Sequence, residues 1–232
     1  MKSIIIVLGF LLAFNAMNCC KDVENCPRFF TLPVSITPAR DTYNIGDTIK
    51  IVSEFSNQLI GLNIEQKEIG TFDMHGIKWK PVISYYKLDT IIPNRDDHKP
   101  LFEGFANVHI LTGVLKKEFF SNGSEQIYGE YSSINNFNYL SIYIIPIKKG
   151  SYYIEFDSDN NYGTLGFQDY PGVCDNEKLY VFYKTNEGQN TNLYYLKDSP
   201  DPYWDRSRSN GYTGDIHSNN PEQTGGYCFK VE

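Results

Sequence analysis

Strict alternation of apolar and polar residues in short segments constrains the fold more than any other feature of this sequence. In residues 48–55, Ile49, Ile51 and Phe55 fall on one side of an extended chain, with charged residues between them. A period of two is typical of a strand with one buried face in an antiparallel sheet. A Gly-Asp turn signal precedes the segment, so the sequence predicts a strand that begins directly after a tight turn.

Other segments share this alternation or form continuous apolar runs, and turn residues bound each of them. They are residues 29–36, 82–88, 108–114, 139–145, 151–156, 178–184 and 227–231. Many short strands with Gly and Asn turns and little helix predict an all-β fold, an antiparallel two-sheet sandwich with long loops. Residues 115–120 are the exception, because they predict one or two helical turns.

The clearest local prediction is a β-hairpin. A Lys-Lys-Gly turn separates the alternating segments 139–145 and 151–156, which is the spacing of two adjacent antiparallel strands. In the second segment, alternation predicts that the even-numbered residues from Tyr152 to Phe156 face the core. Tyr153, between them, is predicted to face solvent.

One stretch resembles a known family of domains. After a strand that ends at Thr37-Pro38, residues 41–51 read Asp-Thr-Tyr-Asn-Ile-Gly-Asp-Thr-Ile-Lys-Ile. This pattern resembles the opening of the first two strands in bacterial immunoglobulin-like sandwich domains. The resemblance implies an immunoglobulin-like fold and carries no activity.

The amino terminus predicts export. Lys2 precedes an apolar run over residues 4–14, and small or polar residues follow it. A transmembrane helix needs roughly 20 apolar residues, so this run is too short to span a bilayer. We therefore predict a cleaved signal peptide over residues 1–18.

The residues after the signal peptide predict a lipid anchor. With cleavage before Cys19, Ala16 and Asn18 stand at the positions of a loose lipobox, and Cys20 is the alternative acceptor. Residues 20–24, Cys-Lys-Asp-Val-Glu, resemble the signal that sends Bacteroidota lipoproteins to the outer cell surface. This resemblance implies an outer-membrane, surface-exposed lipoprotein, and simple secretion is the alternative.

The predicted domain organisation follows from these segments. We expect residues 19–28 to form the lipid-anchored tether and residues 29–232 to form a single β-sandwich domain. The formal net charge of −7 disfavours nucleic acid as a partner, because binding to phosphates needs a basic surface. The expected partners are the membrane, through the lipid, and a glycan or protein ligand.

The cysteines predict a disulfide. Five cysteines become four if one carries lipid, and an even set in an oxidising compartment suggests pairing. Four cysteines allow three connectivities, and the preferred pair is Cys174 with Cys228, because each borders a predicted strand. No C-x-x-C motif is present, so a metal site or catalytic thiol is the weaker reading.

Residues 197–226 predict a long polar surface loop that carries a candidate binding site. The loop is rich in Asp, Asn, Ser, Gly and Pro, and loops of this length are often functional. Within it, Asp201, Tyr203, Trp204 and Asp205 place aromatic faces beside acids, as sugar and peptide sites do. The alternative is that Trp204 folds back and pins the loop.

A weaker candidate is a calcium site at Asp157, Asp159 and Asn161, whose spacing resembles the start of a calcium loop. The expected turn glycine and the final glutamate are missing, so an Asp/Asn-rich turn after a strand is the alternative. Asp96-Asp97-His98 is interpreted as a solvated loop between two prolines.

No residue set forms a catalytic motif, and no cofactor is predicted. There is no H-E-x-x-H, G-x-S-x-G or phosphate-binding loop in the sequence. We therefore expect a non-catalytic surface component that binds a ligand or serves a structural role. The alternative is a polysaccharide-active hydrolase, or a glycan-binding accessory protein, at the cell surface.

Overall fold

The structure is a computed structural model that describes residues 26–94, 97–159, 170, 179–204 and 225–232. The signal peptide, Cys19 and Cys20 lie outside these residues. The strands are β1 (Phe29–Thr37), β2 (Thr42–Tyr43), β3 (Ile49–Ser56), β4 (Gln58–Leu62), β5 (Glu68–Asp73), β6 (Pro81–Lys87), β7 (Ala106–Thr112), β8 (Val114–Phe119), β9 (Glu125–Glu130), β10 (Ser132–Ile134), β11 (Phe137–Pro146), β12 (Gly150–Ser158), β13 (Tyr180–Thr185) and β14 (Tyr227–Val231). The described residues also include one short helix, α1 (Tyr194–Asp198), and a 3-10 turn (Asn186–Gly188).

The strands form two sheets, which confirms the predicted all-β sandwich. The eight-stranded sheet has the order β10-β11-β3-β1-β4-β5, with β13 beside β1 and β7 beside β11. The six-stranded sheet has the order β2-β14-β12-β6-β9-β8. One buried cluster of apolar side chains, drawn from strands of both sheets, fills the space between them. None of the described helices is long and apolar enough to cross a bilayer.

Strand β3 forms as its alternation predicts. Ile49, Ile51 and Phe55 are buried in the core, and Lys50 and Glu54 are exposed. Burying a side chain of this size contributes about 1.5–3 kcal/mol. The pattern therefore fixes the register of the strand, because a slip by one residue would turn all three apolar side chains to solvent.

Two strand pairings are parallel, which alternation alone does not predict. β13 pairs with β1 from Phe29↔Tyr180 to Val34↔Thr185, and β14 pairs with β2. β1 is the centre of the larger sheet: its first residues also pair with β4 and its last residues pair with β3.

The predicted hairpin between β11 and β12 is wrong. β11 pairs with β3, β7 and β10 in one sheet, whereas β12 pairs with β6 and β14 in the other. The Lys-Lys-Gly segment therefore carries the chain from one sheet to the other. Gly150 has φ +151°, and a side chain there would come within 3.0 Å of Asp89 Oδ2, so glycine suits the sharp change of direction.

The helical prediction for residues 115–120 is also wrong, because this segment is strand β8. β8 pairs along its length with β9, from Val114↔Glu130 to Phe119↔Glu125. Leu, Lys and Glu favour helix, and the spacing of Leu115 and Phe119 is that of a helical face. Pairing with β9 overrides this local preference.

A second, smaller apolar cluster covers the outer face of the six-stranded sheet. It contains Leu88, Tyr153, Leu196 and Cys228, with Trp204 packed against it. The even-numbered residues of β12 face the main core as predicted. Tyr153 was predicted to face solvent and is only 2% exposed, because α1 and the following residues fold over this face.

Candidate functional site

The first candidate site is the start of the predicted binding loop, and its acid is buried. Asp201 is 1% exposed. Its Oδ2 accepts a hydrogen bond from Ile92 N at 2.7 Å and lies 2.9 Å from His98 Nε2. Its Oδ1 accepts a hydrogen bond from Tyr203 N at 3.0 Å. The carboxylate therefore joins two loops and faces away from solvent.

His98 differs from its sequence interpretation as part of a solvated loop. Its side chain is 2% exposed and stacks on the ring of Tyr203, with centroids 3.8 Å apart. Asp97 is exposed as expected, and Asp96 lies outside the described residues. The sequence could not pair His98 with Asp201, because the two residues are 103 positions apart.

Trp204 packs inward. Its ring makes edge contacts with Tyr86 and Tyr153, at centroid distances of 5.2 and 5.8 Å. These contacts favour the alternative in which Trp204 pins the loop to the sheet. Tyr203 is 37% exposed and keeps one face against His98. Asp205 lies outside the described residues.

The hydrogen bonds around Asp201 set its charge. Burial raises the pKa of the Asp201 carboxyl, and hydrogen bonds from Ile92, Tyr203 and His98 outweigh burial, so the pKa lies below its ordinary value. Asp201 is therefore ionised at neutral pH. An ionised, hydrogen-bonded and buried carboxylate holds loops together and does not offer itself to a ligand.

The predicted Cys174–Cys228 disulfide is wrong, because Cys228 is a free, buried thiol. Cys228 lies in β14 opposite Tyr153, and its side chain packs in the smaller apolar cluster. Burial raises the pKa of this thiol well above its ordinary value. Cys174 lies outside the described residues.

The calcium candidate is described only in part, because Asn161 lies outside the described residues. Asp157 Oδ1 accepts a hydrogen bond from Ser158 N at 2.7 Å, and Asp159 Oδ2 accepts one from Tyr128 at 2.9 Å. Among the described residues, no group of three or more His, Cys, Asp or Glu side chains is placed to hold a metal ion.

The second candidate site is a cavity of about 690 Å³ beside the parallel pair β1–β13. This volume is in the range of small-molecule sites. Its described lining comes from β1, the end of β4 and the turn after it, β13, residues 188–194 and the two glycines before β14: Phe29, Thr31, Leu62, Gln66, Phe182, Tyr183, Lys184, Thr185, Gly188, Asn190, Thr191, Asn192, Leu193, Tyr194, Gly225 and Gly226.

The wall of the cavity is a loop with an unusual backbone. In residues 186–192, five residues have positive φ, and four of them are not glycine: Asn186, Glu187, Asn190 and Asn192, with φ between 48° and 56°. Asparagine tolerates this region, but Glu187 costs about 1–2 kcal/mol there. Strain of this kind persists only where surrounding contacts impose it, and it clusters at ligand sites.

Specific hydrogen bonds impose this loop conformation. Asn186 Oδ1 accepts a hydrogen bond from Ile36 N at 2.8 Å. Asn192 Nδ2 donates to the carbonyl oxygens of Arg40 and Cys228, at 3.0 and 3.1 Å. The loop is therefore fixed to β1, to the segment before β2 and to β14.

Other polar groups of the lining are available to a ligand. The side chains of Thr31, Gln66 and Asn190 make no hydrogen bond with other described residues. Tyr194 is 50% exposed and stacks on Tyr195 with centroids 4.5 Å apart. The hydrogen bond with Tyr195, followed by desolvation, raises the pKa of Tyr194 to about 12, so its hydroxyl stays neutral.

The sequence predictions missed this cavity. Its walls come from segments distant in the chain, and only residues 185–192, Thr-Asn-Glu-Gly-Gln-Asn-Thr-Asn, carry a local signal. A run of Asn and Gly indicates positive φ and a turn-rich loop. It does not indicate that the loop closes over β1 and β13.

Comparison with known proteins supports the fold of this protein and no narrower class. No family model matches the chain, and no curated protein matches it. The human F-spondin reeler domain is 10% identical, with a TM-score of 0.32 over 66% of this chain and 90% of that one. The second type II cohesin module of the ScaA scaffoldin of Acetivibrio cellulolyticus is 11% identical, with a TM-score of 0.31 over 66% and 94%. Similarity at this level carries no functional argument, so the class is a two-sheet β-sandwich protein.

Proposed function

We propose that this protein is a non-catalytic lipoprotein of the cell envelope that binds a ligand at the cell surface. The observation that carries the proposal is the cavity beside β1 and β13, closed on one side by the hydrogen-bonded loop 186–192. A cavity of this size with preformed walls is the usual form of a binding site. Residues 29–232 form the binding domain in this proposal.

The anchor and the cellular location rest on the sequence. Residues 1–18 act as the signal peptide, Cys19 carries the lipid, with Cys20 as the alternative, and the Bacteroidota-like export signal sends the protein to the outer surface. Phe29, which lines the cavity, lies ten positions after Cys19. Because an extended chain spans at most about 3.6 Å per residue, this end of β1 lies within about 36 Å of the lipid.

A hydrolase is the alternative function, and the described part of the cavity does not favour it. Glycoside hydrolysis needs two carboxyl groups roughly 5–10 Å apart at the scissile bond. None of the described lining residues is Asp or Glu. The polar side chains of the described lining are amides and hydroxyls, with a single lysine, and such groups bind ligands through hydrogen bonds.

The test of this proposal is the mature protein itself. We would measure its intact mass and its distribution between membrane and medium, and then its sensitivity to protease on whole cells. The expected result is a lipid-modified Cys19 in the outer membrane and cleavage by added protease. Cys19→Ala and Cys20→Ala variants identify the acceptor. An unmodified protein in the medium would contradict the lipoprotein and favour simple secretion.

A further inference from the structure

We propose that the cavity beside β1 and β13 is a carbohydrate-binding site for an uncharged oligosaccharide. This inference rests on the proposed binding function and names the ligand class of the same site. Three properties of the described lining point to it: an exposed aromatic face, neutral hydrogen-bonding groups and a wall fixed before the ligand arrives.

The aromatic face is Tyr194. Its ring is 50% exposed and is supported from one side by the ring of Tyr195, inclined by 29° to it. The apolar C–H face of a pyranose packs flat on such a ring, and the burial of both faces drives binding. A tyrosine side chain is large but has only about two rotatable bonds, so little entropy is lost when a sugar stacks on it.

The neutral polar groups match sugar hydroxyls. A primary amide offers two donors and an acceptor on a planar group, so Gln66 and Asn190 can each bond two neighbouring hydroxyls. Thr31 adds a hydroxyl from β1. All three lie in the lining, and none of their side chains is hydrogen-bonded to another described residue.

The charge of the lining favours an uncharged ligand. Lys184 is its one charged side chain among the described residues, and it is exposed to solvent near Gly188. A solvent-exposed charge contributes little to binding because water screens it. The rest of the lining offers no cation to a sulfate, phosphate or uronic acid.

A peptide that adds a strand to the sheet fits this site less well. Gly225 packs over the side chains of β13, because a Cβ at Gly225 would lie only 2.5 Å from Tyr183 Cβ and Thr185 Oγ1 donates a hydrogen bond to Gly225 O at 2.9 Å. The segment before β14 therefore covers part of the β13 surface that a bound peptide would contact.

The wall is preorganised. Asn192 donates both of its amide hydrogen bonds to backbone carbonyls, and the backbone N–H of Cys228 donates to Thr191 O at 2.9 Å. A ligand then meets a loop whose conformation is already fixed. Because the loop is already ordered, binding does not have to order it, and the affinity is higher.

The experiment uses the mature lipoprotein in detergent micelles. Calorimetry with cellohexaose, xylohexaose, mannohexaose and laminarihexaose tests uncharged sugars, and hexagalacturonate tests acidic ones. We expect binding of at least one uncharged hexaose. Tyr194→Ala and Asn190→Ala should each weaken that binding by about tenfold or more. Tyr203→Ala, which removes an exposed tyrosine from the other candidate site, is the matched control and should leave the affinity unchanged.

Three results would overturn the inference. The first is binding of no hexaose by folded protein, and the second is binding that is unchanged in both cavity variants. The third is binding of hexagalacturonate alone, lost in Lys184→Ala, which would assign an acidic ligand. In each case, the proposed lipoprotein is tested separately. Intact mass measures the lipid modification, and protease shaving measures surface exposure. Circular dichroism confirms that each variant is folded.

Discussion

His98 Nε2 lies 2.9 Å from Asp201 Oδ2, and both side chains are 2% exposed. The contact joins the loop before β7 to the segment after α1, two regions that the sequence presents as separate polar loops. Tyr203 stacks on the far side of His98, and Trp204 fills the space above β6 and β12. Asp201, Tyr203 and Trp204, three of the four residues predicted to bind a ligand, therefore hold the chain against the outer face of the smaller sheet.

The first prediction concerns the acid stability of this contact. Because the pKa of Asp201 is below its ordinary value of 3.8, the ionised carboxylate stabilises the fold above that pH, and this contribution is lost as the pH falls through the lowered value. Asp201→Asn should cost about 1–3 kcal/mol at pH 7, because buried N–H groups lose a charged acceptor.

Urea unfolding at pH 7 and pH 3 measures this effect. The difference between wild type and Asp201→Asn should shrink at pH 3, which lies below the ordinary pKa of 3.8, because the unfolded chain binds a proton there that the native carboxylate resists. Asp198→Asn, an exposed acid in α1, is the matched control and should change the free energy of unfolding little at either pH. Equal stability of wild type and Asp201→Asn at pH 7 would contradict the role given to Asp201.

The second prediction separates packing from ligand binding at Trp204. Trp204→Ala removes a ring that contacts Tyr86 and Tyr153 and should lower the free energy of unfolding by about 3 kcal/mol. Tyr203→Ala, on the partly exposed neighbour, should cost less. Both variants should keep the binding of any ligand of the cavity. Loss of that binding in a folded Trp204→Ala protein would instead support the prediction that Trp204 binds the ligand.

Alternation predicted which side chains of a strand face the core between the sheets, but not which sheet the strand joins. Ile49, Ile51 and Phe55 are buried as expected, and so are the even-numbered residues of β12. β11 and β12 nevertheless lie in different sheets. Inward-facing residues are apolar in both sheets of a sandwich, so the pattern of a strand does not indicate which sheet the strand joins. Turn residues indicate a reversal of direction, and a reversal can lead to the opposite sheet as easily as to a neighbouring strand.

The candidate sites were less predictable than the fold, because each depends on contacts between distant residues. The burial of Tyr153 requires α1 and Trp204 to pack over β12. The sequence of residues 151–156 gives no indication of this packing. Asn190 and Tyr194 meet Thr31 only because β13 pairs in parallel with β1. A parallel pairing between strands so far apart in sequence leaves no local signal.

The third prediction concerns Glu125, a carboxylate buried at the start of β9. Its Oε2 accepts hydrogen bonds from the backbone N–H groups of Phe102 and Glu103, at 2.8 and 2.7 Å, and its Oε1 lies 2.6 Å from Lys117 Nζ. Glu125→Ala leaves these donors without an acceptor and should cost about 3–5 kcal/mol.

Thermal and urea unfolding measure the cost at Glu125. Glu118→Ala is the matched control, because Glu118 forms a more exposed ion pair with Lys116. An exposed pair of this kind contributes about 0–1 kcal/mol, so the control should unfold almost as the wild type does. Similar losses in the two variants would show that Glu125 does not organise the loop before β7.

The last prediction concerns the thiol of Cys228. Its side chain is fully buried, so reagents cannot reach it. Burial also raises the pKa of the thiol, so little of the reactive thiolate forms. In native protein at pH 8, the peptide that contains Cys228 should stay unlabelled by iodoacetamide. In urea without reductant it should label fully. Cys26, by contrast, is disulfide-bonded, and we expect its peptide to label only after reduction. Labelling of Cys228 only after reduction would restore a disulfide at this position, and rapid labelling in native protein would show that α1 does not cover β14.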